Sequence, residues 1–318
     1  MDRKLIYLDQ NIIGLHIDGE LTLSTHPGHC WVYSKEHFAE IRRSTNPDQF
    51  LSVLDEIGAK MLELQLDADW RITGVANLIE NGTPAEHYEA YIEATSSAPA
   101  CDGLFEPLLA WVNGGRDEGP FRQLPERLAE QVLMLTRDLP LDHGAVADAL
   151  DVVVPEFTDT IKKMMSHGND ITKTRKALAD GKGTIGSVSG EGELQQIWRV
   201  IEPVCAGVTC DQFFGFDPID RQGYENWPLY LGIVSCCAVM DIVGFQAEQK
   251  CRKLDKISNV RSDAGHIAMG AYCSAILSGD GRLIRRARAI YQYKGIGTAP
   301  LLFAANKSMQ PTANASAD

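Results

Sequence analysis

The sequence lacks any apolar run near the roughly 20 residues that a membrane helix needs, so no membrane partner is expected. It also lacks the pattern of a secretory leader: it opens Met1-Asp2-Arg3-Lys4, and its first apolar run stops at Asp9. Basic residues are not in excess. Thirty Lys and Arg stand against 43 Asp and Glu, a formal net charge of -13. That balance argues against a non-specific coat for nucleic acid. It leaves room for an enzyme acting on nucleic acid, because metal-binding carboxylates would add to the acidity. The 8 cysteines follow no metal or disulfide pattern. Cys236 and Cys237 are adjacent, and Cys205 and Cys210 are too far apart for CxxC. Reduced thiols in a cytoplasmic protein are the expectation, with Cys236, Cys237, Cys251 and Cys273 serving as small core residues of helices. The glycine-rich stretch 181–192 lacks the GxxxxGK[ST] order, so it reads as a flexible loop and not as a phosphate cradle. No internal repeat is visible.

What is present is a globular composition, 44% hydrophobic over 318 residues. A chain of about 300 residues buries roughly three quarters of its unfolded surface, which allows one large domain or two interleaved ones. Lys4-Leu5-Ile6-Tyr7-Leu8 is apolar without alternation, as in a strand buried on both faces of a parallel sheet. Ser34 is a good N-cap for a helix running to about Arg43. From about Pro47 to Pro218 the pattern is mostly helical. Phe50, Val53, Leu54, Ile57, Met61 and Leu64 recur at helical spacing, and further helices are predicted at 84–96, 125–138, 145–166, 169–179 and 193–201. Leu229, Ile233, Cys237 and Met240 mark a buried helix. Another helix is predicted to open near Asp263. Ala275-Ile276-Leu277-Ser278 reads as a second short strand, followed by a turn and a helix with Leu283, Ile284, Ala287, Ile290 and Tyr291 on its apolar face. A last strand at 298–303 would be confined to an edge by Pro300. The tail from Asn306 is predicted to be disordered.

Two acids, Asp9 and Asp280, sit just past the ends of predicted buried strands. Ligands bind outside the carboxyl ends of strands in open α/β sheets, and carboxylates there suit a hard cation such as Mg²⁺ or Mn²⁺. Asp280, inside Gly-Asp-Gly, also reads as a turn former. Glu40 shares a helix face with Ser34 and His37. Asp263, with His266 three residues on, reads either as a helix cap or as a further site acid.

Taken in order, Ile6-Tyr7-Leu8-Asp9-Gln10-Asn11, Ser34-x-x-His37-x-x-Glu40, Asp263-Ala264-x-His266 and Ile276-Leu277-Ser278-Gly279-Asp280-x-Arg282 resemble a PIN-like nuclease domain over about residues 3–45 and 255–303. The resemblance implies an α/β fold with a central, mainly parallel sheet flanked by helices. It implies Asp9, Glu40, Asp263 and Asp280 as catalytic and metal-holding residues for Mg²⁺ or Mn²⁺, and metal-dependent hydrolysis of RNA phosphodiester bonds. Asn11, His37 and Arg282 are candidate substrate-binding or supporting residues, Arg282 because it lies nearest a predicted ligand. For His37 and His266 a structural role is the first reading. The resemblance does not cover the middle of the chain. The expected organisation is therefore a first core part at 1–46, a mostly helical insertion at 47–220 that supplies some missing core elements, a second core part at 221–304, and the tail at 305–318. The insertion is expected to pack onto the core and to favour single-stranded or looped RNA. An inhibitor protein and a second copy of the chain are further candidate partners. The competing reading is a non-catalytic scaffold of the same fold that binds a protein or RNA. A phosphotransferase using Asp9 as nucleophile is disfavoured because no second Asp completes a DxD pair.

Overall fold

β1 (Lys4–Leu8) forms from the first apolar run and is followed by α1 (Gln10–Ile17), with Asp9 at the N-cap position. This computed structural model describes residues 3–97, 104–179, 185–247 and 253–304, with the backbone alone at Ser97 and 254–260. β2 (His29–Tyr33) leads into α2 (Lys35–Ile41). Ser34 caps that helix, its Oγ accepting from the Glu36 N–H at 3.3 Å, while its own N–H donates to His37 Nδ1 at 3.1 Å. α3 (Pro47–Glu56) then gives way to a hairpin, β3 (Lys60–Leu66) and β4 (Ile72–Ile79). This corrects the helical reading of Met61 and Leu64. Gly58 takes a left-handed conformation, φ +63°, and stops the helix, so the spacing of the following apolar residues belongs to a strand.

The helical middle runs through α4 (Pro84–Ser97), α5 (Glu106–Val112), α6 (Gly119–Arg122), α7 (Leu124–Thr136), α8 (His143–His167), α9 (Ile171–Leu178), α10 (Glu193–Ile201) and α11 (Cys210–Phe213). α12 (Leu229–Val243) and α13 (Leu254–Gly270) precede β5 (Ala275–Ser278), α14 (Gly281–Lys294) and β6 (Ala299–Leu302). α13 begins nine positions before Asp263, which therefore lies in the helix interior; it neither opens nor caps the helix as expected. Cys273 lies in the turn before β5, not in a helix, and Cys251 and the tail 305–318 fall outside the described residues. No helix among the described residues is long and apolar enough to cross a membrane.

The sheet has the order β4-β3-β2-β1-β5-β6, parallel except for the β3–β4 hairpin. β1 pairs with β2 on one side and with β5 on the other, Leu8 opposite Leu277. The chain thus reverses its direction of sheet growth at β1, and the crevice at such a reversal is where open α/β sheets take ligands. Alternate residues of β1 and β2 feed opposite faces, as the strand period requires. Tyr7 and Val32 join a core with α10, α12, α13 and α14, while Leu8 and Tyr33 join one with α1, α2 and α3. Leu104, Trp111, Phe121, Leu124 and Ile161 form a separate cluster in the helical middle. That middle is tied to the core: the Arg175 guanidinium donates to the carbonyls of Asp241 and Ile242 at 2.6 and 3.1 Å.

Candidate active site at the sheet reversal

The parallel pairing of β1 and β5 puts Asp9 and Asp280 at one edge of the sheet, although they are far apart in sequence. Asp9 is buried and leaves the helix behind it without a side-chain cap bond. Its Oδ2 instead accepts from Ser278 Oγ and from Asn11 Nδ2, both at 2.5 Å. Asn11 Oδ1 accepts from the Gly279 N–H at 2.8 Å, so Asn11 laces the two strand ends together. Asp280 does cap its helix, Oδ1 accepting from the Arg282 N–H at 2.7 Å. Its Oδ2 lies 3.5 Å from the Arg282 guanidinium. The turn-former reading of Asp280 is therefore true of one of its oxygens.

Glu40 and Asp263 arrive from α2 and α13, which pack closely. A Cβ on Gly265 would meet the Glu36 carboxyl, so a larger residue there would displace the end of the Glu36 side chain. His266, one turn beyond Asp263, is fully buried between two of the acids. Its Nε2 lies 3.4 Å from Glu40 Oε1 and 4.0 Å from Asp9 Oδ1. Its Nδ1 is held by Tyr7 Oη at 2.9 Å, and that hydroxyl contacts Ser34 Oγ at 2.6 Å.

Charges in this niche shift one another. Burial opposes the charged form of His266, but Glu40, with Asp9 and Glu36, overcomes it and carries the imidazolium up to about 9. Burial likewise opposes the Glu40 carboxylate, yet His266, Ser262 and His37 bring it down to about 2. Asp9 is raised by burial and by Glu40, against the pull of His266 and Ser278. Asp263 is pushed up to about 7, first by burial and then by the charges of Asp9, Glu40 and Asp280, with His266 opposing. The four acids thus sense one another as a group. Asp263 and Asp280 also line a niche of about 10 Å³, the size of one water, together with Gln246, Arg282 and Arg286. Arg286 is ion-paired to the buried Asp241.

His37 departs from its expected substrate-binding role. It is fully buried, it donates from Nε2 to the Leu8 carbonyl at 2.7 Å, and its Nδ1 is taken by Ser34. Burial, with His266 beside it, lowers it to about 3, so it is a neutral structural residue. Arg282 and Asn11 do border the acids. Sequence reasoning underrated His266 and passed over Tyr7, Ser262 and Ser278 as contributors. The helical i, i+3 pairing of Asp263 with His266 was the one signal available for the first of these.

As donors, the acids are hard oxygen ligands. Asp263 is raised by burial and then by the negative charge of its neighbours, which a cation would relieve. By donor type and charge the residues fit Mg²⁺ or Mn²⁺. As placed, no three His, Cys, Asp or Glu side chains among the described residues are grouped to hold one ion, since Glu40 is turned to His266. No protein-family model, curated protein or solved structure matches the chain, so the site is read from its own geometry. That geometry defines a class: an α/β protein with a carboxylate–histidine cluster at the reversal point of a mostly parallel sheet.

Proposed function

We propose that the chain is a Mg²⁺- or Mn²⁺-dependent nuclease that hydrolyses RNA phosphodiester bonds at this cluster. The observation that supports it most is Asp263, a carboxyl raised to about 7 by burial and then by three neighbouring acids, beside a water-sized niche. Asp9 and Asp280, at the two strand ends, would hold the cation; Mg²⁺ commonly takes one or two carboxylates and completes its shell with water and phosphate oxygens. A bound ion would acidify its water and neutralise charge on the phosphate. Asp263 would take the proton of the attacking water; a cation held beside it would favour its carboxylate form and so keep it ready as a base at neutral pH. Glu40 acts through His266: it holds the imidazolium that in turn steadies Asp9. Arg282, beside Asp280, is the nearest cation for the scissile phosphate. The choice of RNA rests on the PIN-like resemblance of the four acid segments.

The test is cleavage of labelled RNA by the purified chain with Mn²⁺, with Mg²⁺ and with chelator, beside calorimetric titration of Mn²⁺. Metal-dependent cleavage that Asp263→Asn removes supports the nuclease. One observation favours a non-catalytic scaffold instead: His266 already neutralises part of the cluster from within. Absence of both cleavage and Mn²⁺ binding would favour that reading.

A further inference from the structure

A second feature lies on the same two helices. A cleft of about 320 Å³ has Glu36 and Ala39 of α2 on its floor, with Arg43 just beyond that helix, and Arg261 and Ser262 of α13 beside them. Its walls include Tyr91 of α4 and Tyr230 of α12, and Lys35 stands at its edge. Three cations and two acids line it, and Lys35 is ion-paired to Glu63, which leaves the two arginines as the cations turned to the cleft. The two acids that line it are engaged. Glu36 accepts from Tyr230 Oη at 2.7 Å, and Glu106 lies 3.9 Å from the Arg261 guanidinium. Arg43 has no carboxylate partner among the described residues and is exposed. The cleft borders one of the acids: Ser262, which lines it, helps to keep Glu40 charged.

We infer that this cleft binds a single RNA strand and leads it to the switch-point acids, with Arg43 and Arg261 on phosphates and Tyr91 against a base. The inference rests on the nuclease reading for the identity of the strand, and on the cleft alone for its path. Cations along a groove with interleaved aromatic rings are the general means of holding single strands without sequence preference. The volume is that of a small-ligand site, which suits an unstacked nucleotide and not a duplex. α4 and α5 supply one side of this cleft, so the middle of the chain would select the substrate and the sheet would supply the chemistry.

The experiment is fluorescence anisotropy of a short labelled oligouridylate, and of the same strand in a duplex, with the full chain in chelator so that no cleavage occurs. The single strand should bind more tightly than the duplex. Arg43→Ala with Arg261→Ala should weaken binding and lower the log–log salt slope by about 1.4, the release expected for two phosphates. Tyr91→Leu, which keeps an apolar side chain at a partly buried position but removes the flat ring, should weaken binding about tenfold. Lys162→Ala with Lys163→Ala, on α8, should leave binding unchanged. Equal affinity for duplex, unchanged binding by the double arginine variant, or no binding by the unaltered chain would overturn the cleft. If cleavage fails while these binding results hold, the nuclease reading falls and the cleft stands. If cleavage proceeds while the arginine and tyrosine variants bind normally, the reverse is true.

Discussion

The cluster at the sheet reversal and the α7–α8 hairpin make opposite use of the chain. At the reversal, four acids, two histidines and a tyrosine are crowded together, most of their polar atoms have partners, and the niche that Asp263 and Asp280 line has room for about one water. The hairpin holds a far larger groove, about 500 Å³, lined by apolar side chains such as Leu128, Val132, Leu150 and Phe157. Leu133, Met134, Leu135, Val152 and Val153 stand exposed around it. Its one lining acid, Asp142, is occupied in capping α8. On the proposed function, cavity size therefore does not mark the site. Burial together with convergence of charge does, because the two shift ionisable groups into the range where protons move at neutral pH.

The contrast is sharpest at His266. His266→Ala should destabilise the metal-free protein by about 3–5 kcal/mol, since it leaves the Asp9 and Glu40 carboxylates facing each other in a buried site. Denaturant unfolding in chelator reads this directly, and a loss below about 1 kcal/mol would mean that the pairing is of little consequence. Next comes Asp263→Asn, for which we expect a loss of about 10²–10⁴-fold in metal-dependent cleavage, the range of a lost general base. For the unaltered chain, cleavage should rise with pH as Asp263 ionises, below the value of about 7 that it has without the cation, because a bound cation favours the carboxylate, and the variant should lose that limb.

The same residue predicts a pH dependence of stability. Its carboxyl keeps its proton in the folded state up to about 7 but gives it up near the ordinary carboxylate value when unfolded, so stability falls as pH rises between the two. His266 is raised to about 9, so its contribution is complete below its ordinary value and is lost as pH rises through about 9. Glu40 is lowered to about 2, so its contribution is complete above its ordinary value and is lost as pH falls through about 2. Thermal melts in chelator should therefore peak in the ordinary carboxylate range, about pH 4–5, and Asp263→Asn should flatten the decline towards about pH 7. A smaller effect is expected at Asp280. Asp280→Ala should cost about 1 kcal/mol through the lost helix cap and Asp280→Asn much less, although both should impair cleavage. Least of all, Leu133→Ser and Val153→Ser on the hairpin should change stability by no more than about 0.5 kcal/mol and leave cleavage as it was. A hairpin variant that silenced cleavage would erase the distinction between the two regions.

Much of the frame was legible without coordinates, where local sequence decides. β1 and β5 are uninterrupted apolar runs, α10 follows its expected span, and Pro300 lies on an edge strand. The parallel adjacency of β1 and β5, which the placement of Asp9 and Asp280 required, is found. The errors have local causes. β3 was read as helix because Val53, Leu54, Ile57, Met61 and Leu64 happen to keep a helical spacing across the Gly58 break. The start of α13 was missed because its first turns, Leu254-Asp255-Lys256-Ile257-Ser258-Asn259, carry little apolar period. Asp9 has partners, Ser278 and Asn11, that its local sequence does not show, while the cap that Asp280 gives α14 follows from its place in a turn.

By itself the sequence determined the residue types at the strand ends, the order of the acids and the helices that carry them, because strand and helix periods and caps act over a few neighbouring residues. Only the tertiary structure decided how each acid is held and which groups it faces. His266 meets Tyr7 across 259 positions, and Asp9 and Glu40 reach it from two other segments. Whether a buried carboxyl is held charged, as Glu40 is, or kept near neutrality, as Asp263 is, depends on the distances among those groups and on the water excluded around them. Neither quantity exists until the sheet has brought the segments together.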